Sequence, residues 1–267
     1  MSALGPSMAV VLVAYLIIGI AMPVLPLYVH TELGLSTFMV GVAAGIEFAA
    51  ALVSRFWSGR YADTRGAKRA MIVGLAMGTI SGLLYLASLR FAASPTAAIA
   101  ILLVGRVFLG GCESFVITGA LSQGLVLGGP TNAGKVISWV GTALWAAYAA
   151  GAPAGTALYD RYGFISIALA TTLLPLLAMV LVIRLRALPP STEESPSIVR
   201  VLCAVWVPGL GMALTAVGFG AVTTFGALMF AERGWGAAWI AFTALSVAFI
   251  LGRLFFGHLP DRIGGAR

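Results

Sequence analysis

Charged residues are scarce in this chain. Asp, Glu, Lys and Arg together make up 9% of its 267 residues, hydrophobic residues make up 60%, and the mean hydropathy is +1.02. A soluble domain of this length cannot place so much apolar surface in one core. Cysteine and histidine are nearly missing, with two residues of each. The composition therefore predicts a membrane protein that crosses the bilayer several times.

Several chemical signatures are also missing. There is no Gly-x-x-x-x-Gly-Lys-Ser/Thr stretch, and no polar segment is long enough to form an ATP-binding domain. Cys112 and Cys203 fall inside apolar runs, so they indicate neither a disulfide framework nor a metal site. His30 and His258 lie far apart in the sequence and have no cluster of metal-ligating residues beside them. We therefore expect no enzyme activity, no cofactor and no bound metal.

The apolar runs are continuous and long, as spanning helices of roughly 20 residues require. The first has no basic n-region and is longer than a signal-peptide core, so we interpret it as a span. The sequence predicts an all-α polytopic membrane protein with eight spans, at about 8–29, 37–58, 70–91, 97–124, 136–158, 163–183, 200–230 and 237–257.

The net charge of +7 is unevenly distributed between the two sides of this topology. Three basic residues lie in one set of alternate connections: Arg90, Arg161 and Arg233. Ten lie in the other set: Arg60, Arg65, Lys68, Arg69, Lys135, Arg184, Arg186, Arg200, Arg262 and Arg267. The positive-inside rule then predicts a cytoplasmic N-terminus. It also explains the basic charge without a nucleic-acid partner.

One pattern of residues occurs twice with the same internal spacing, each time at the end of an apolar run. Arg, Gly, Asp, Gly and Arg recur in register, first as Arg55, Gly59, Asp63, Gly66 and Arg69, then as Arg253, Gly257, Asp261, Gly264 and Arg267. The two copies are 198 residues apart, from Arg55 to Arg253. A repeat of this length indicates two copies of a multi-helix unit, as in many secondary transporters.

A polar, Pro-rich segment divides the two copies. The predicted domains are an N-terminal six-helix bundle (1–186), a cytoplasmic linker (187–199) and a C-terminal bundle (200–267) that holds spans 7 and 8. By comparison with the first copy, we expect four further spans to be missing from the second. We expect the chain to be either a truncated record of a longer transporter or a fragment that could associate with itself to cover its open face.

The doubled Gly-x-x-x-Asp signature resembles that of the major facilitator superfamily, and the chain is similar in particular to bacterial arabinose-efflux and multidrug-efflux permeases. The first copy has Gly59, Asp63, Gly66 and Arg69, with Thr64 where a basic residue is usual. The second has Gly257, Asp261, Arg262 and Gly264. The stretch around Arg106 is similar to the family's buried-arginine motif, and Gly151, Pro153 and Gly155 are similar to its exporter motif, with one extra residue between Gly151 and Pro153.

This resemblance implies that the signature locks the cytoplasmic side. Physically, the Asp63 carboxylate could accept hydrogen bonds from backbone N–H groups at the start of a neighbouring helix, while glycines at 59 and 66 permit close approach and a tight turn. The alternative is that these charges only set the topology. Arg55 and Arg253, one turn inside their spans, are expected to anchor in the headgroups, or else to pair with a gate carboxylate.

Three charged residues lie where water is distant: Glu47, Arg106 and Glu113. Each costs about 2.5–3.5 kcal/mol at mid-bilayer unless it is paired, hydrated or protonated. Glu47 and Arg106 lie at matching depths, roughly 10 residues into parallel spans, so we predict that they form an ion pair directly or share one through water. Glu113, two turns from Arg106, is expected to face the same cavity and is a candidate proton carrier. A purely structural role for either glutamate remains the alternative.

The small residues Ala147, Gly151 and Gly155 permit close packing of span 5, and Pro153 is expected to bend it; packing against the other half would form an external seal. The leading functional hypothesis is a transporter in the bacterial inner membrane that exports small organic solutes, sugars or drug-like compounds, in exchange for protons. The alternatives are uptake by proton symport and a nontransporting membrane fragment.

Overall fold

A computed structural model describes residues 5–129, 132–185, 187–189 and 198–256. The described residues are almost entirely helical and include no strand, which confirms the all-α prediction. The helices are α1 (Gly5–Ala21), α2 (Val24–Leu27), α3 (Thr37–Arg65), α4 (Ala67–Leu89), α5 (Pro95–Gly128), α6 (Ala133–Tyr162), α7 (Phe164–Ile183), α8 (Ile198–Arg233) and α9 (Trp239–Phe256).

The first span is broken rather than continuous. Helix α1 ends at Ala21, α2 follows as a single turn, and a π-helical turn, Tyr28–Glu32, completes the span. Two prolines explain the break. Pro23 and Pro26 have no N–H to donate to the carbonyl groups four residues earlier, so the regular helical ladder cannot pass through them.

Single glycines make two of the connections between spans. Gly66 (φ +94°) joins α3 to α4, and Gly163 (φ +69°) joins α6 to α7. Left-handed backbone of this kind is accessible mainly to glycine, and it reverses the chain within one residue. Consecutive spans are therefore antiparallel. We call the end of the bundle that holds Gly66 the motif end and the opposite end the far end.

Six helical segments in the described part of the chain are long and apolar enough to cross a membrane. They are Gly5–Glu32, Thr37–Arg65, Ala67–Leu89, Pro95–Gly128, Phe164–Ile183 and Gly209–Arg233. Helices α6 and α9 fall outside that set but occupy the positions of predicted spans 5 and 8. Every predicted span thus corresponds to a helix, although α3 runs further towards the motif end than expected.

The way in which the helices pack against one another places Glu47 and Arg106 in the interior. Helix α5 packs against α3 and α4, α1 packs against α6 and α7, and α9 packs against α6. Helix α8 contacts the N-terminal unit mainly through α2 and α3. Of the apolar clusters among the described residues, the two larger ones contain Ile17 and Leu109 in one case and Tyr85 and Leu102 in the other. Glu47 and Arg106 are both buried beside these clusters.

Candidate functional site: two ion pairs between spans 2 and 4

The structure brings Glu47 of α3 and Arg106 of α5 together. Their carboxylate and guanidinium groups form an ion pair in which Glu47 is fully buried and Arg106 is 5% exposed. Arg106 has two further partners. Its Nε donates to the carbonyl oxygen of Ala43 over 2.9 Å, and its Nη1 lies 3.5 Å from the hydroxyl oxygen of Tyr85. The guanidinium is therefore held from three sides, by α3 twice and by α4 once.

Glycines in α5 allow this approach. A Cβ added to Gly110 would collide with the carbonyl oxygen of Glu47, so the α5 backbone touches the α3 backbone at the carboxylate-bearing residue. One turn and a half earlier, a Cβ on Gly105 would lie 2.9 Å from the Tyr85 ring. The glycines that flank Arg106 in sequence thus bring both of its side-chain partners within reach.

Arg55 and Glu113 form a second ion pair, nearer the motif end, with Nη2 and Oε1 3.8 Å apart. The Arg55 side chain is 50% exposed and that of Glu113 is 11% exposed. Of the two expectations for Arg55, pairing is the one observed, but its partner is Glu113 rather than a carboxylate of the signature. Glu113 is not among the residues that line the cavity beside Glu47 and Arg106, and its Oε1 faces Arg55 instead. A cavity shared by all three charges stays a prediction.

Hydroxyl groups join α3 and α5 one turn beyond this second pair. The Ser58 Oγ lies 3.0 Å from the Oγ of Ser114 and 3.1 Å from the Oγ1 of Thr118. Both serines are fully buried. The contact between α3 and α5 therefore contains two ion pairs and, further towards the motif end, a cluster of hydroxyl groups.

The first signature lies differently from the prediction. Gly59 and Asp63 belong to the last turns of α3 rather than to a loop, because Gly66 alone suffices for the reversal. No described atom lies within 4 Å of a Cβ built on Gly59, so close approach there is not observed. Asp63 is half-buried at the motif end and Arg69 is exposed. The latch function of the signature remains a prediction. The second copy, Gly257, Asp261, Arg262 and Gly264, lies outside the described residues.

Lys68 holds the motif end together in a way that the sequence did not indicate. Its Nζ donates to the carbonyl oxygens of Ile183 (2.7 Å) and Leu185 (2.8 Å), at the C-terminus of α7. These carbonyls have no donor within their own helix, and a cation at a helix C-terminus also offsets the helix dipole. The turn after span 2 is thereby attached to the end of span 6.

The exporter-like stretch packs within the N-terminal unit. Cβ atoms on Gly151 and Gly155 would collide with the backbone of Gly19 and Ile20 in α1. The expected packing of this stripe against the other half is therefore wrong. A different face of α6 meets α9: the carbonyl of Ala149 accepts a hydrogen bond from Thr243 over 3.0 Å. Residues 149 and 151 point in different directions because consecutive helical positions are about 100° apart.

Aromatic rings connect α6 to α8 and α9 near the hydrogen bond between Ala149 and Thr243. Trp145 of α6 stacks on Phe249 of α9, with ring centroids 4.0 Å apart, and meets Phe219 of α8 edge to face. Closer to the motif end, the guanidinium of Arg253 lies against Gly141 of α6, where a Cβ would collide with it. Arg253 therefore faces a neighbouring helix and is only partly exposed.

Chemically, the two ion pairs offer two carboxyl groups that can take up or release a proton, each next to an arginine that keeps its charge. The sequence indicated all three deeply placed charges. It did not indicate the roles of Tyr85, Lys68 and the serine–threonine cluster, because each role depends on which face of a helix meets its neighbour. Nearly uniform apolar helices carry little record of that rotation.

Comparison with known families agrees with this architecture. The model of the Major Facilitator Superfamily matches residues 8–267. The uncharacterised MFS-type transporter STM4428 of Salmonella typhimurium is 44% identical over 252 residues, covering 94% of this chain and 65% of the relative.

Two other relatives show the same pattern of coverage. The uncharacterised MFS-type transporter YhhS of Escherichia coli K12 is 38% identical over 252 residues, covering 94% of this chain and 62% of the relative. One from Burkholderia mallei is 38% identical over 266 residues, covering 96% and 63%. The chain therefore spans just under two thirds of the length of the curated relatives it matches.

Proposed function

Since the chain belongs to the major facilitator superfamily, we propose that it acts in secondary active transport, exporting small organic solutes in exchange for protons across the bacterial inner membrane. The observation that carries this proposal is the fully buried Glu47–Arg106 ion pair. A buried ion pair contributes little net stability, because desolvation offsets the attraction between the charges. Ionisable groups inside a membrane bundle are more often part of an ion or proton pathway.

The partners of Arg106 suit a pair that can be broken and remade. When Glu47 takes up a proton, the ion pair is lost, but Arg106 keeps its contacts with the Ala43 carbonyl and the Tyr85 hydroxyl. The arginine then stays in position for the carboxylate to return. A fixed countercharge of this kind would allow Glu47 to alternate between paired and protonated states without a large rearrangement of α5.

The Arg55–Glu113 pair offers a second step towards the motif end. Arg55 reaches half out of the protein while Glu113 is nearly buried, so a proton at Glu113 lies between the deep pair and an exposed group. Helices α3 and α5 carry the two pairs in crossed order, Glu then Arg on α3 and Arg then Glu on α5. In the proposed cycle, protons move along this contact, while Gly59, Asp63, Gly66 and Arg69 close the motif end, which faces the cytoplasm.

The proposed division of the chain follows the same scheme. Residues 1–186 form one bundle, 187–199 link it to the second, and 200–267 contribute spans 7 and 8 of that second bundle. The stacked Trp145–Phe249 pair and the Thr243–Ala149 hydrogen bond supply contacts across which the two bundles rock.

Transport is tested in proteoliposomes that carry purified protein and a trapped pH-sensitive dye. Arabinose serves as the sugar probe and ethidium as the drug-like probe, each added with an imposed pH gradient. We expect proton movement opposite to solute movement, and accumulation in inverted but not in right-side-out vesicles. Accumulation in right-side-out vesicles would instead favour symport uptake. If neither probe moves protons in either orientation, antiport of these two solute classes is wrong.

A further inference from the structure

A small cavity lies directly beside the Glu47–Arg106 pair. Its wall includes both members of the pair, Ala44 of α3, Met22 and Pro26 of the broken first span, and Thr223 of α8. The space open to the centre of a water molecule is about 20 Å³. One bound water needs about 10–15 Å³ on this measure, together with two to four polar partners. The cavity therefore has room for a single water, and its polar atoms decide whether one is held.

Glu47 supplies the first polar atom. Its Oε2 faces Arg106, whereas no hydrogen-bond donor among the described residues reaches its Oε1. The side chain is fully buried, so bulk water does not solvate that oxygen. Burial of a carboxylate oxygen without a hydrogen bond is costly, and such groups are nearly always satisfied by protein or by an ordered water.

Thr223 supplies the second polar atom, from the other half of the molecule. Its hydroxyl lies 2.9 Å from the carbonyl oxygen of Phe219 and 3.2 Å from that of Gly220, so its hydrogen is directed back into α8. The Oγ1 then retains a lone pair that can accept a hydrogen bond. Thr223 is 5% exposed, so bulk water has little access to that lone pair.

The break in the first span offers a third acceptor. In a regular helix the carbonyl of Met22 would accept from the N–H of residue 26, which here is Pro26. Met22 and Pro26 both line the cavity. Irregular backbone at membrane depth is tolerated where it lines a polar cavity, because the freed groups can be satisfied there.

From these observations we infer that the cavity is a binding site for one water molecule, which donates hydrogen bonds to the Oε1 of Glu47 and the Oγ1 of Thr223. The water connects the ion pair of the first bundle to span 7 of the second. When Glu47 takes up a proton on Oε1, that oxygen becomes a donor to the water, and the hydrogen that the water had directed at Oε1 turns to another acceptor. Thr223 is thus a positioning residue through which α8 senses the state of Glu47. This last role rests on the proposed function, whereas the water site itself does not.

The water site is tested by a double-mutant cycle on thermal unfolding of the detergent-purified protein. Thr223→Val keeps the side-chain shape and removes the acceptor. The matched control is Thr224→Val, since Thr224 is the adjacent buried threonine and does not line the cavity. The second arm of the cycle is Glu47→Leu/Arg106→Leu, which removes both charges and with them the need for the water.

We expect Thr223→Val to lower the unfolding midpoint of the otherwise unchanged protein by about 2 to 4 °C relative to Thr224→Val. In the Glu47→Leu/Arg106→Leu background this difference should vanish, because no carboxylate remains for the water to bridge. Equal effects of the two valine substitutions in the unchanged protein would overturn the inference. A Thr223→Val loss that persists undiminished in the apolar background would also overturn it, because the loss would then not depend on Glu47.

A second measurement examines the site directly. In an experimental map that resolves ordered waters elsewhere in the bundle, density is expected between the Glu47 carboxylate and the Thr223 hydroxyl, and it should disappear in Thr223→Val. A map of that quality without density there contradicts the water site. Both tests can be read whether or not arabinose or ethidium is transported, so failure of the proposed function is distinguishable from failure of this inference.

Discussion

Arg55 of α3 and Glu113 of α5 form an ion pair, with Nη2 and Oε1 3.8 Å apart. Along the same two helices, Glu47 of α3 pairs with Arg106 of α5. The acidic and basic residues therefore exchange helices between the two pairs. The two pairs differ in their access to water. The deep pair is buried on both sides, whereas Arg55 is half exposed. The same two residue types are therefore expected to respond differently to substitution.

Removal of one partner from the deep pair should be costly and unequal. Glu47→Leu leaves the arginine charged and buried, whereas Arg106→Leu leaves a carboxyl that can become neutral by taking up a proton. We expect Glu47→Leu to lose about 3–5 kcal/mol of unfolding free energy and Arg106→Leu less. The double variant should lose less than the sum of the two. Denaturant unfolding in detergent measures all three, and strict additivity would show that the two side chains do not interact.

Glu113→Gln should affect stability little, because its partner Arg55 is half exposed and the contact between them is longer than a hydrogen bond. We expect an unfolding change below about 1 kcal/mol. Under the proposed function the same substitution should abolish proton movement, because glutamine cannot carry the proton. Proteoliposomes with the trapped pH dye measure this directly. Arg55→Gln is the matched partner variant, and unchanged proton movement in Glu113→Gln would remove Glu113 from the pathway.

Lys68→Met should destabilise the end of α7. The substitution keeps the length of the side chain but removes the donor for the carbonyls of Ile183 and Leu185. Because charged hydrogen bonds contribute about 1.5–3 kcal/mol, we expect a loss at the lower end of that range for this partly exposed group. Arg60→Met, at an exposed position of the same motif end, should change stability by no more than about 0.5 kcal/mol. Equal effects of the two would show that the Lys68 cap is not formed.

Gly110→Ala should separate α3 from α5 at the deep pair. The new methyl group would collide with the carbonyl oxygen of Glu47, which is backbone and cannot turn aside. We expect a loss of about 1–3 kcal/mol. Gly45→Ala, where no atom lies within 4 Å of the added Cβ, should be neutral or slightly stabilising because alanine favours the helix. Thermal unfolding of the two variants side by side gives the comparison.

Asp63→Asn tests the proposed latch at the motif end. The substitution keeps the size of the side chain and removes its negative charge, so insertion and stability should remain near those of the unchanged protein. Transport of arabinose or ethidium should fall by at least about tenfold if the charge stabilises the closed state by about 1.4 kcal/mol or more. Membrane fractionation checks insertion. Full transport by Asp63→Asn would leave the signature with a topological function only.

Much of the fold could be predicted from composition and repetition. Continuous apolar runs predicted a helical span at each position where the structure has one, although not the break in the first. The pattern at Gly59 and Gly66, which recurs at Gly257 and Gly264, indicated a family that the comparisons then confirmed. Helix ends were less predictable. Gly59 and Asp63 were expected in a loop, and they lie in α3 because a single glycine with positive φ completes the turn.

Glu47, Arg106 and Glu113 stood out because charge is rare in an apolar chain and cannot be left unpartnered at depth. The amino-acid sequence alone was therefore enough to predict the helical class, the succession of spans, the deep charges and the pairing of Glu47 with Arg106. The other partners depend on how the helices pack. Arg55 with Glu113, Lys68 with the end of α7, and Gly151 with α1 rather than the second half all follow from how each helix is rotated about its axis. That rotation is set by close packing of glycine and side-chain surfaces, which a helix apolar on nearly every face does not record in its sequence.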